Sequence, residues 1–278
     1  MAKTPSYATP VAPGKKIQLS KIDSSFHDGL DKAQGELELS QLGDELNRLQ
    51  ELLYAASTHA LLVVLQGMDT AGKDGAIRHV MKFFNPQGCQ IESFKVPSSE
   101  ELSHDYLWRV HKVAPARGQI VVFNRSHYED VLVTRVQKLV EEKVWKKRYE
   151  QINEFEELLT ENKTIVVKFF LHISKEEQEK RLMAREADVE KAYKLSTSDW
   201  EQRKLWNAYQ DACEDALEQC STPAAPWYVV PADKKWFRNL AVAQALVETL
   251  CAHEDEWEGV LRKESKARVA ELKAFRKQ

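Results

Sequence analysis

The stretch QGMDTAGKDG, residues 66–75, lies between an apolar run, HALLVVLQG (59–67), and a segment with helical spacing. Gly67, Gly72 and Lys73 stand at the spacing of a phosphate-binding loop, with Thr70, Ala71 and Gly75 in the same cradle. Glycines let backbone N–H groups turn inward onto a phosphate, the helix start adds partial positive charge, and the lysine adds a mobile one. A glycine turn followed by a chance lysine would share these letters, but strand, spacing, lysine and helix all agree. Two residues depart from the pattern. Asp74 replaces the usual Ser or Thr after the lysine, and Asp69 sits inside the loop. A carboxylate about 4 Å from a phosphate oxygen is repelled by roughly 1 kcal/mol in water and roughly 4 kcal/mol at a protein surface. A divalent cation between them relieves that cost, and Mg²⁺ usually takes one or two carboxylates plus phosphate oxygens. Asp69 is therefore the candidate metal ligand, and it can also orient or deprotonate an acceptor oxygen. Asp74, in the first helical turn, is expected mainly to favour the helix dipole.

Four further apolar runs follow: CQIESFKV (89–96), GQIVVFN (118–124), KTIVVKFFLHI (163–173) and PWYVVPA (226–232). Helical patterns lie between them, so the expected class is α/β, a five-stranded parallel sheet with helices on both faces. Ligands in such sheets bind at the carboxyl ends of the strands. Ile77, Val80, Met81 and Phe84 mark one face of the helix after the loop, which stops at Asn85-Pro86-Gln87-Gly88. Leu39, Leu42, Leu46, Leu49 and Leu53 predict an amphipathic helix over 35–57. Capping boxes are expected at Ser98/Glu101, Ser174/Glu177 and Ser198/Glu201. Residues 1–17 read as a flexible arm. The expected organisation is an arm and helix over 1–58, the phosphate-loop domain over 59–252, and a charged helical extension over 253–278 carrying Trp257, Val260 and Leu261.

The 278 residues carry a net charge of −3, and 43% are hydrophobic, ordinary for a globular chain. That charge argues against non-specific nucleic-acid binding but leaves room for a local basic groove. No window approaches roughly 18 uncharged apolar residues, so no membrane span is expected. The N-terminus lacks a signal-like apolar core, which points to the cytoplasm. The four cysteines form no CxxC pair and read as reduced thiols.

The third strand runs into FNRSHYED (123–130). Asn124 occupies the place where phosphate-transfer folds usually hold a metal-positioning Asp, and it can accept from a metal-bound water. Arg125 stands at the sheet's carboxyl edge, where a guanidinium can clamp phosphate; a surface ion pair with Glu129 or Asp130 is the plainer alternative. Glu129 can bind metal or nucleotide, or cap a helix. After the fourth strand, 174–204 carries Arg181 and Arg185 on one helix face, then Lys191, Lys194, Arg203 and Lys204. Its position suits a lid that closes on phosphates.

LQGMDTAGKDGAIRHV, NPQG, FNRSHYEDVL, the lid stretch and APWYVVPADKKWFRNL together resemble the polyphosphate kinase 2 family, over about residues 17 to 252. The resemblance implies a P-loop kinase fold with a helical lid. It also implies Mg²⁺-dependent phosphoryl transfer, with Mn²⁺ as a substitute, between inorganic polyphosphate and adenine or guanine nucleotides. Asp69 and Lys73 match the family's loop pair, Asn124 and Arg125 its strand-three pair, Arg185 its lid arginine, and Arg78 a basic residue on the polyphosphate path. Glu129 matches the third subclass, which phosphorylates both AMP and ADP. Asn124 departs from the Asp of many members. The lid departs too, with Tyr193 in place of a Trp and Lys194 retained. A dimer or tetramer is expected, with 35–57 and 253–278 as candidate contacts. Two other readings stand beside this one: a nucleoside monophosphate kinase using ATP, and a non-catalytic polyphosphate or nucleotide sensor.

Overall fold

The structure, a computed structural model, describes residues 6–194 and 196–277, without the side chains of Lys191, Ala192 and Lys194. Its strands are β1 (Thr9–Pro10), β2 (Ala60–Gln66), β3 (Cys89–Ser93), β4 (Ile120–Asn124), β5 (Thr164–His172) and β6 (Trp227–Pro231). Its helices are α1 (Lys32–Ala56), α2 (Lys73–Val80), α3 (Ser99–Leu102), α4 (Trp108–His111), α5 (Glu129–Val136), α6 (Glu142–Glu161), α7 (Lys175–Glu186), α8 (Thr197–Lys204), α9 (Trp206–Cys220), α10 (Lys235–Cys251) and α11 (Glu254–Phe275).

The five apolar runs become five parallel strands, in a sheet of order β1-β6-β5-β2-β4-β3. β2 is buried on both faces, which is why it reads as a continuous apolar run. Leu61, Val63 and Leu65 face one core, shared with α1, α2 and α10; Leu62 and Val64 face the other, shared with α5, α6 and α9. From β2 the chain runs to β3 and β4 on one side, then crosses to β5 and β6 on the other. The loop after β2 thus opens where strand order reverses, the place such sheets keep for ligands.

The sheet has a sixth strand, and the N-terminal arm supplies it. Thr9 and Pro10 pair antiparallel with Val229 and Tyr228 of β6. Tyr7, Ala8 and Val11 are buried, Val11 N donates to Trp227 O, and Tyr7 N donates to Gln244 Oε1. Residues 6–11 are therefore not a flexible arm. Proline is tolerated in this strand because it lies at the sheet's edge.

Local signals set several boundaries. Asp31 and Gln34 form a capping box that starts α1 at Lys32, and Ser57, with φ +52°, ends it. Ser98 and Glu101 form the expected box. Ser174 caps α7, but Glu177 turns its side chain to Arg181 instead of returning to the cap. α8 starts at Thr197 with Ser196 as its cap, two residues before the expected Ser198. Trp257 of α11 is fully buried and donates to His59 Nδ1, while Val260 and Leu261 are half-buried. All four cysteines are free thiols. Among the described residues no helix is long and apolar enough to cross a membrane.

Candidate active site

The loop between β2 and α2 is shaped by positive φ angles at Gly67 (+153°), Thr70 (+65°) and Gly72 (+103°). Glycine is required at 72 on two counts: its backbone is left-handed, and an added Cβ would fall 1.9 Å from Arg238 Nη1. α2 begins at Lys73, whose side chain folds back so that Nζ donates to Gly67 O at 2.7 Å and Met68 O at 3.3 Å. Burial lowers the Lys73 pKa and Arg125 lowers it further, against the pull of Asp69, Glu129 and Asp74.

The loop's two acids each meet a residue at the end of β4. Asn124 Nδ2 donates to Asp74 Oδ1 at 2.9 Å. Arg125 Nη2 donates to Asp69 Oδ1 at 2.5 Å, and its Nη1 to Glu129 Oε2 at 3.1 Å. Register explains the meeting: Leu65 of β2 lies beside Asn124 of β4, so the next residues on both strands share one edge. Arg125 itself has φ +63°. Burial works against its charge, but Glu129 and Asp69 hold its pKa above the ordinary value. Gln66 Nε2 donates to Glu129 Oε1 at 3.1 Å, and Gln178 Nε2 to Asp69 O at 3.1 Å.

From α7, Arg181 reaches the back of the loop. Its Nη1 donates to Thr70 O and Ala71 O, its Nη2 to Ala232 O and Asp233 O, and its Nε to Glu177. All five of its N–H donors are thereby engaged with the protein. Arg185 Nη1 donates to Asp199 Oδ2 at 2.7 Å, tying α7 to α8. Burial raises the Asp199 pKa and the charge of Asp69 adds to that, while Arg185 and Arg125 oppose it.

Two recesses flank the loop. A narrow cleft is lined by Gly67, Asp69, Arg125, Glu129, Gln202 and Tyr209. A groove of about 810 Å³ opens on the other side, along Thr70, Gly72, Asp74 and Gly75, and is lined by Arg78, Lys82, Arg181, Arg185, Lys235 and Arg238. The loop residues, Asp69, Lys73, Asn124, Arg125 and Glu129 thus converge at the carboxyl ends of β2 and β4, with Arg78 and Arg185 in the groove. Lys191 and Lys194 have side chains outside the described residues. Asp74 meets Asn124 and Asp69 meets Arg125; the carboxylates and the Asn124 amide oxygen are hard oxygen donors of the type that Mg²⁺ or Mn²⁺ takes.

Sequence reading missed Asp199 and Arg238. Arg238 is buried among the apolar residues of α10, bonded to Asn239 Oδ1 and weakly to Ala71 O. Burial, with Arg181 beside it, brings its pKa down to about 10. An arginine on an otherwise apolar helix face, beside Phe237, Leu240 and Ala241, was the available signal.

The profile of the family described as Polyphosphate kinase 2 matches residues 29–258. An AMP/ADP-polyphosphate phosphotransferase from Meiothermus ruber is 51% identical over 245 residues, covering 86% of this chain and 91% of that one. An ADP-polyphosphate phosphotransferase from Rhodopseudomonas palustris is 46% identical over 253 residues, covering 86% and 88%. The crystal structure of Polyphosphate Kinase 2 from Arthrobacter aurescens TC1 superposes with a TM-score of 0.84 at 44% identity, covering 87% of this chain and 88% of that one. The chain belongs to the polyphosphate kinase 2 family.

Proposed function

We propose that this protein transfers a phosphoryl group between inorganic polyphosphate and AMP or ADP, with Mg²⁺ or Mn²⁺ as cofactor and guanine nucleotides as further acceptors. The observation that carries the proposal is the pair of recesses meeting at one phosphate loop, a narrow cleft at Asp69, Arg125 and Glu129 and a long basic groove at Arg78 and Arg238. The cleft, about 30 Å³, offers carboxylate and guanidinium groups to a nucleotide's phosphate end, and the groove, about 810 Å³, has room for a flexible polyanion. The names of the Meiothermus and Rhodopseudomonas relatives agree with this assignment.

In the transfer, an oxygen of the acceptor's terminal phosphate forms a bond to the terminal phosphorus of polyphosphate. The bridging P–O bond breaks, its electron pair leaves with the shortened chain, and the nucleotide gains one phosphoryl group. Lys73 and the loop amides hold phosphate oxygens. Asp69 orients the attacking oxygen; with Asn124 it would hold the cation, which would neutralise phosphate charge. Arg125 and Arg185 stabilise charge on the transferring group, Arg78, Lys191 and Lys194 guide the chain, and Arg181 braces the loop. Catalysis by such a site is positioning and electrostatics. Reduced thiols and nucleotide substrates suit the cytoplasm.

The test supplies AMP, ADP or GDP with Mg²⁺ and polyphosphate, without ATP, and measures the phosphorylated nucleotide. Formation of ATP from ADP is expected. Turnover only with ATP as donor makes the protein a nucleoside monophosphate kinase, and turnover with neither donor makes it a sensor.

A further inference from the structure

Behind the turn that carries Arg125 and Glu129 lies a buried polar network that the transfer reaction does not touch. Lys168 of β5 and Glu156 of α6 are buried on the apolar face of the sheet, with side chains 0% and 1% exposed. Lys168 Nζ carries three hydrogens, and each has an acceptor: Glu156 Oε2, Tyr128 Oη at 2.9 Å and Cys220 O at 2.6 Å. Glu156 Oε1 accepts from Tyr128 Oη at 2.9 Å and from His127 Nε2 at 3.1 Å. The Tyr128 hydroxyl therefore accepts from the lysine and donates to the glutamate, and its ring packs edge-on against Trp227 at 4.8 Å. Burial works against the charge on Glu156, yet Lys168 and His127 hold its carboxyl below the ordinary range.

What this network grips is specific. His127 and Tyr128 are fully buried and lie in the turn that carries the chain from Arg125, just after β4, to Glu129, the first residue of α5. Arg125 begins that turn in a left-handed conformation, at a steric cost that persists only where neighbours hold it. Glu129 closes the turn, and Ser126 Oγ accepts from Tyr128 N within it. Arg125 and Glu129 pair with each other and, through Arg125, with Asp69. The grip at 127 and 128 thus fixes both ends of the turn on the opposite, reactive side. An apolar pair of similar volume would fill the same space as well or better, so stability alone does not explain why two charges are buried there.

We infer that Glu156 and Lys168 are positioning residues, which hold the Arg125–Glu129 turn in its reactive geometry through His127 and Tyr128. The inference rests on the phosphotransferase reading for its main assay. Glu156→Gln keeps the shape of the side chain and removes the charge that Lys168, His127 and Tyr128 address. Misplacing reacting groups by about 1 Å costs on the order of 10²-fold in rate, so kcat should fall by that order at temperatures well below melting, with both KM values within about threefold of wild type. The Glu156→Gln, Lys168→Met double variant restores buried neutrality, keeps a folded protein, and should be equally slow.

A role confined to stability would lower the melting temperature and leave kcat of the folded enzyme unchanged. The two roles separate further in an Arg125→Ala background. If Glu156 acts through Arg125, Glu156→Gln costs little there; if it costs the same as in wild type, the inference is overturned. Wild-type enzyme without polyphosphate-dependent transfer would count against the functional reading. In that event, calorimetric binding of ADP with Mg²⁺ carries the test. Weaker binding by Glu156→Gln, with the difference lost in Arg125→Ala, supports positioning, and unchanged binding refutes it.

Discussion

Arg181→Met offers the sharpest test of how the phosphate loop is held. The side chain is 8% exposed, and each of its donors has an acceptor: Glu177 at 2.9 Å, Thr70 O at 3.0 Å, Ala71 O at 3.1 Å, and Ala232 O and Asp233 O at 2.7 Å. Methionine keeps most of the stem and removes every donor. Hydrogen bonds to a charged group contribute about 1.5–3 kcal/mol each, but they do not sum, because loop carbonyls regain water once released. The cost of removing one partner of a buried charged pair, about 3–5 kcal/mol, is the better estimate. For a chain of this size each kcal/mol moves the melting temperature by about 2–4 °C, so a drop on the order of 10 °C follows. Arg181→Lys should recover little of it, since an ammonium cannot span four carbonyls as a planar fork does. Calorimetric unfolding and steady-state kinetics read both consequences. Suppose instead that Arg181→Met melts within about 2 °C of wild type and raises KM for polyphosphate about tenfold. Then Arg181 is a phosphate ligand, and the brace is wrong.

Asp69→Asn removes the carboxylate that Arg125 holds at 2.5 Å. It should lower kcat by at least about 10²-fold with Mg²⁺ present, the scale of losing one preorganised electrostatic partner; near-wild-type turnover would exclude Asp69 from the reaction. Asn124→Asp places a second carboxylate against Asp74, where the amide now donates at 2.9 Å. Like charges at about 4 Å cost roughly 4 kcal/mol near a protein surface, so this variant should melt lower without Mg²⁺ and recover when the ion is added. Melting at the wild-type temperature in chelator would contradict that. Burial lowers the pKa of His59 and of His253 from the ordinary 6.5. Below about pH 6.5 the unfolded chain therefore binds more protons than the folded one, so stability is fully present above that pH and declines as pH falls through 6.5 toward the lower folded values. Protonation would also turn His59 Nδ1 from acceptor to donor against Trp257. The melting temperature should fall between pH 7 and 5.5, less steeply in His253→Gln, and parallel curves would rule out this contribution.

Elements whose stability is local or bilateral were readable from sequence. β2, β4, β5 and β6 are buried on both faces, so their apolar runs have few other fates, and α1 shows its core stripe at Leu39, Leu46, Leu49 and Leu53. β1 is different in kind. Two residues of strand carry no pattern, and what holds them is Gln244 and Trp227, more than 200 positions away. The same distinction runs through the site. Gly67, Gly72 and Lys73 declare a phosphate loop by spacing alone. The role of Arg181 depends instead on which way the Thr70 and Ala71 carbonyls point, and that follows from a left-handed threonine no residue pattern announces.

The loop's acids show what only the register of two strands reveals. In the usual pattern a hydroxyl follows the loop lysine and an acid ends the third strand. Here the acid, Asp74, follows the lysine, and an amide, Asn124, ends the strand and donates to it. The two positions have exchanged polarity, so an acid on the loop creates no like-charge contact across the sheet. Asp69 is balanced separately by Arg125, one residue further along the same strand end. Neither acid is an anomaly once Leu65 is seen beside Asn124, because that register delivers a neutral donor to one carboxylate and a cation to the other. A phosphate loop can carry two negative charges here because the neighbouring strand ends in the two residues that offset them.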